Sequence, residues 1–89
     1  MNIKIYDNNG KTCDRYTVVF LDEKEKAKNT YTCIAMSETP FHPQGFCQYS
    51  TAMLGRHLGK KIEFKDLPSD CQKVVNGHYE DYMWSKLKV

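Results

Sequence analysis

The stretch "DRYTVVF", residues 14–20, constrains the fold more than any other. Read as a strand, it puts Tyr16, Val18 and Phe20 on a wholly apolar face and Thr17 and Val19 on a mixed one. A strand with apolar side chains on both faces belongs in the middle of a sheet. Upstream, "IKIYDNNGKT" sets Ile3 and Ile5 on one face, and Asn8, Asn9 and Gly10 tolerate the positive φ that turns demand. Residues 3–20 therefore read as a hairpin.

Downstream, "LDEKEKAKN" is a locally neutral run of acids and lysines with little to bury, which reads as a solvated loop. "TYTCIAM" then alternates Tyr31, Cys33 and Ala35 with Thr32, Ile34 and Met36. A three-stranded antiparallel meander results, and it needs one face covered to be stable.

The second half of the chain supplies that cover. "CQYSTAMLGRHLG" reads as a short helix from about Gln48, ended by Gly55 or Gly59, and "KKIEF" as a short fourth strand. A longer helix is expected to begin near residues 67–70. Pro68 suits a first turn, and Ser69 and Gln72 have the spacing of a capping box. Leu67, Cys71, Val74, Val75, His78 and Tyr82 recur every three or four residues and form one stripe, with a kink or break expected at Gly77. The expected fold is a single α+β domain over residues 1–89. It has a small antiparallel sheet of three to four strands, with one longer C-terminal helix and one short helix packed on one face.

Composition narrows the function. A net charge of +2, from 13 Lys and Arg against 11 Asp and Glu, implies no nucleic-acid partner from whole-chain electrostatics. No apolar run approaches the roughly 18 residues of a membrane span, so a soluble chain with no membrane partner is expected. The start, "MNIKIYDNNG", lacks the basic and apolar regions of a secretory signal, which points to a cytoplasm. Cys13, Cys33, Cys47 and Cys71 contain no C-x-x-C pair, so free thiols and no structural metal or other cofactor are expected. Gathering Cys47, His42, His57 and Cys71 around a zinc ion would require the fold to supply what the spacing does not.

No catalytic signature stands out. Cys47 with His42 or His57 could form a thiolate pair, yet no flanking motif supports it, and "GRHLGKK" lacks the pattern of a P-loop. The chain reads as a binder rather than an enzyme. One candidate surface is the loop "PFHPQGFCQYS", placed between the last meander strand and the short helix. Pro40 and Pro43 hold its backbone extended and Gly45 permits a reversal. Phe46 is expected to plug the core and Phe41 to face outward. Phe41, His42, Gln44 and Phe46, with Tyr79 and Trp84 of the last helix, are the candidate partner-binding residues, since aromatics anchor interfaces. The alternative is a nucleic-acid or nucleotide site within residues 56–65, using Arg56, His57, Lys60 and Lys61.

The order "DNNGKTCDRYTVVF", "MSETPFHPQGFCQY", "GRHLGKKIEFKDLPSDCQ" resembles a group of small uncharacterised proteins of bacteriophages and mobile elements of gut bacteria. The resemblance covers residues 5 to about 75. It implies an accessory protein acting in the cytoplasm of a bacterial host. Its partner would be a host or phage protein, and the role extends to inhibition of a host-defence nuclease in the manner of anti-CRISPR proteins. The resemblance carries over no catalytic or binding residue.

Overall fold

The computed structural model describes residues 2–25 and 29–87. Its strands are β1 (Ile3–Asp7), β2 (Tyr16–Glu25), β3 (Thr30–Met36), β4 (Cys47–Ala52) and β5 (Lys60–Ile62), and its helix is α1 (Ser69–Leu87). Single 3-10 turns lie at Arg56–Leu58 and Phe64–Asp66. The strands form one antiparallel sheet in the order β4-β3-β2-β1-β5, one or two strands more than expected. Among the described residues no helix is long and apolar enough to cross a membrane.

β2 is the central strand, as its two apolar faces require. Val18 and Val19 are consecutive, so they point to opposite faces, and both are fully buried. On the first face, Tyr16, Val18 and Phe20 meet Ile5, Ile34 and Met36 of the neighbouring strands and Leu67, Cys71 and Val75 at the helix. On the second, Tyr6, Val19 and Cys33 are packed by Tyr31, Leu54 and Leu58. Both faces of the sheet are therefore covered, where one cover was expected.

The second cover replaces the expected short helix. Residues 48–52 are strand, because pairing with β3 satisfies backbone groups that a helix there would leave at a sheet edge. The chain must then pass from β4 at one edge to β5 at the other. Four strand spacings amount to roughly 19 Å on a flat sheet. The linking residues 53–59, three of them in a tight turn, span that distance with little slack. Leu54 and Leu58 are packed beneath as the chain crosses. Gly59, at φ 115°, lets this segment close onto β1, where an added Cβ would stand 2.4 Å from the Asp7 carbonyl oxygen.

The charged run is not a loop over its described part. Leu21–Glu25 continue β2, and residues 26–28 of that run lie outside the described residues. A register shift between Val19 and Lys24 bends β2 away from β3's regular ladder. Within this irregular stretch, Glu23 meets His78 Nε2 at 2.8 Å and the Asp22 carbonyl accepts the Tyr82 hydroxyl at 3.2 Å. His78 also tilts against Phe20, ring centroids 4.3 Å apart. The helix stripe thus runs from apolar contacts at Leu67, Cys71 and Val75 to polar ones at His78 and Tyr82.

Two local expectations at the helix also change. Gln72 does not close a capping box with Ser69; its Nε2 donates instead to the carbonyls of Phe64 at 3.2 Å and Leu67 at 3.0 Å, tying the helix to the preceding turn. Gly77 does not break α1, which is continuous through it. That glycine is exposed, and a Cβ added there would meet nothing within 4 Å. Gly77→Ala is therefore expected to stabilise the fold by about 1 kcal/mol, raising the melting temperature by about 4–8 °C. A thermal melt that stays unchanged or falls would show that the glycine is needed where it sits.

Candidate functional site

One row of paired residues organises the upper end of the sheet. Cys47, Met36, Tyr16, Asp7 and Lys60 are successive partners across β4, β3, β2, β1 and β5. The loops that leave this row, residues 8–15 and 37–46, and the turn Arg56–Leu58 that enters it gather at the same end. Strand pairing thus unites segments far apart in sequence.

Arg15 braces this end. Its Nε meets Asp7 Oδ1 at 2.8 Å and its second amino nitrogen meets Oδ2 at 3.1 Å, a two-point grip on the carboxylate. The same guanidinium bonds Glu38 of the 37–46 loop and lies 5.2 Å from the Tyr16 ring centroid. The Arg15 hydrogen bonds hold the Asp7 carboxyl below its ordinary range, and bonds to Asp7 and Glu38 raise Arg15 in turn.

Beside this brace a cleft of about 410 Å³ opens between the 8–11 turn and the start of β5. Lys11, Arg56, His57 and Lys60 line it, together with Asp7 and Gly59. Asp7 is the acidic group among the lining residues, and Arg15 already engages both its oxygens. The cleft therefore offers net positive charge. Its nearby amides are already used: Asn9 N–H bonds Asp7 Oδ1, Gly10 and Lys11 N–H bond Asn8 Oδ1, and Gly59 N–H bonds the Arg56 carbonyl. An anion here would be held by side chains, not by a backbone cradle around "GKKI".

Three of the four residues of the phosphate reading, Arg56, His57 and Lys60, thus converge. Lys61 does not join them. It is the next residue along β5, paired with Tyr6 of the second face while Lys60 pairs with Asp7. Lys11 was not among the sequence candidates, because only the β1–β5 pairing carries it to the 56–60 segment.

The partner-binding set is divided. The 37–46 loop connects β3 to β4 as a hairpin instead of leading into a helix. It is closed by Ser37 N–H to the Phe46 carbonyl at 2.8 Å, Phe46 N–H to Ser37 Oγ at 2.9 Å and Gly45 N–H to the His42 carbonyl at 2.8 Å. An added Cβ at Gly45 would lie 1.9 Å from the Thr39 carbonyl oxygen, so the reversal needs glycine. Phe41 projects with 63% of its surface exposed, and His42 and Gln44 are exposed, the His42 Nδ1 accepting the Gln44 N–H at 3.1 Å. Phe46 is half-buried and contributes through its backbone bonds; it is not a buried core plug.

Tyr79 and Trp84 belong to the other end of the molecule. Cys71 Sγ donates to the Ser37 carbonyl at 3.3 Å, which fixes the start of α1 beside the loop. Thirteen residues of helix then carry Trp84 roughly 20 Å along the axis. Trp84 is 61% exposed and Tyr79 half-buried, away from Phe41.

The thiols are free: Cys13 and Cys47 are exposed, Cys33 and Cys71 buried. Burial pushes the Cys71 thiol up to about 11, and desolvation raises Cys33 and Cys47. None of these three is favoured as a thiolate nucleophile at neutral pH. Among the described residues no group of three or more His, Cys, Asp or Glu is gathered as a metal ion requires. No protein-family model, curated protein or solved structure matches the chain.

The Asp7–Arg15 grip has a pH signature. A carboxyl lowered on folding contributes stability that is present above its ordinary value near 3.9 and is lost as pH falls through the folded value. Asp7→Asn is thus expected to be less stable than the parent at pH 7, with the gap closing as pH drops below about 4. Denaturant midpoints measured from pH 7 to strong acid decide it; a gap that persists unchanged into strong acid would mean the grip does not depend on the charged carboxylate.

Proposed function

We propose that the protein is a non-catalytic binding module that holds a phosphate-bearing ligand, single-stranded nucleic acid or a nucleotide, in the cleft between the 8–11 turn and residues 56–60. The convergence of Lys11, Arg56, His57 and Lys60 on one concavity carries this reading. Side-chain cations in a groove are how sequence-tolerant proteins follow a phosphate backbone. Arg15 supports the reading by engaging the carboxylate that would otherwise repel the ligand.

A second reading is favoured by a different observation. Phe41 stands exposed on a hydrogen-bonded loop at the same end of the sheet, the form of a preordered aromatic anchor for a protein partner. In the setting implied by the resemblance to phage and mobile-element proteins, that partner is a host or phage protein within the bacterial cytoplasm. Inhibition of a host-defence nuclease is the corresponding activity.

Fluorescence anisotropy with a labelled single-stranded oligonucleotide tests the first reading. With about three cations neutralising phosphate, affinity should fall about 20-fold between 50 and 200 mM salt. Arg56→Ala and Lys60→Ala should each weaken binding, whereas Lys61→Ala should leave it unchanged. Absence of binding at low salt, or equal losses from Lys60→Ala and Lys61→Ala, would reject the cleft. For the second reading, Phe41→Ala should keep the parent's melting curve and lose the protein captured from nuclease-treated host lysate. Retained capture would remove Phe41 from the interface.

A further inference from the structure

The sheet has two open edges, and they are built differently. β5 is three residues long with lysine at two of them, Lys60 and Lys61, so a second strand meets a short, charged edge. Such edges resist pairing. β4 is six residues long, "CQYSTA", with no charge and no proline. Five of its residues are exposed, Tyr49 with 58% of its surface, and the Tyr49 ring lies beside His78, centroids 5.3 Å apart. Met53, just past its end, is 55% exposed.

The backbone of β4 also has a definite outward side. Ser37 N–H bonds the Phe46 carbonyl, so that facing pair is hydrogen-bonded. Antiparallel pairs alternate between bonded and non-bonded. Along the β3–β4 register, Ala35 with Gln48 and Cys33 with Ser50 are then bonded, while Met36 with Cys47, Ile34 with Tyr49 and Thr32 with Thr51 are not. Cys47, Tyr49 and Thr51 therefore direct their N–H and C=O groups away from β3, along the free edge.

We propose that this edge pairs with β4 of a second copy of the chain, making a two-fold dimer with one continuous antiparallel sheet. A two-fold axis normal to the sheet keeps each residue on its own face, so Tyr49 faces Tyr49 of the other copy and Cys47 faces Thr51. Every outward N–H and C=O then finds its complement, giving about six hydrogen bonds, two per facing pair. The two Tyr49 rings meet on the helix-bearing face as a cross-strand aromatic pair. A copy of the same strand adds no charge to this contact, whereas the lysines of β5 would repel their own copies. The dimer is independent of the phosphate-binding reading, because the cleft lies at the opposite edge of the sheet.

Sedimentation across a concentration series, with residue-resolved amide exchange, tests the proposal. The parent should pass from monomer to dimer with concentration, and the Cys47, Tyr49 and Thr51 amides should slow together while those of Lys60 and Lys61 do not. Thr51→Pro removes an outward N–H without touching a bond to β3, and Tyr49→Lys sets like charges across the axis. Thr51→Pro should weaken self-association by roughly tenfold or more, since two hydrogen bonds per dimer are lost. A parent that stays monomeric throughout, or a dimer in which those three amides exchange as in the monomer, overturns the proposal whatever the variants do. So does a dimer that both variants form as readily as the parent.

Discussion

Everything in this fold follows from burying two consecutive valines. Val18 and Val19 point to opposite sides of β2 and neither retains exposed surface. At about 25 cal/mol per Å² of apolar surface removed from water, covering both faces of a central strand is where a domain of this size gains most of its stability. One cover is the helix with the turn that leads into it, whose Cys71 and Val75, and Leu67 just before the helix, pack on the Val18 side. The other is the crossing segment, whose Leu54 and Leu58 pack on the Val19 side. The second cover has a topological consequence: a chain that crosses beneath the sheet must emerge at the far edge, where it can only pair with β1.

That obligation creates the candidate site. The return to β1 puts Lys60 opposite Asp7 and carries Arg56 and His57 to the turn that holds Lys11. Arg15, just before β2, engages Asp7 and ties the same end to Glu38 of the neighbouring loop. Packing demands on the second face and the positive cleft at the sheet end are thus one construction. A cation cluster assembled this way needs no run of basic residues, which is why a net charge of only +2 coexists with it.

The meander and the long helix were legible because their residues alternate or recur against a buried face, as in "DRYTVVF" and the Leu67–Cys71–Val75 stripe. β4 was not. As an edge strand it is solvated on nearly every residue, so "CQYSTA" carries no hydrophobic period to read. Leu54 and Leu58 stand four apart, the spacing of a helix face, yet here a tight turn inside an extended crossing sets that spacing. The charged run after Phe20 misled for a related reason: beyond the bend in β2 the pairing of Lys24 with Tyr31 continues, and polar side chains there conflict with nothing. Of the site, Arg56, His57 and Lys60 were visible as neighbours in sequence. The inclusion of Lys11, the exclusion of Lys61 and the separation of Phe41 from Trp84 depend on pairings between distant segments, which local patterns do not encode.

Amide chemical-shift mapping with a short single-stranded oligonucleotide tests most directly whether the sheet end formed by the β1–β5 return is the working surface. The largest changes should fall on residues 8–11 and 56–60, with the helix around Tyr79 and Trp84 unmoved. Changes centred on that helix, or on Lys61 and the second face of the sheet, would contradict it.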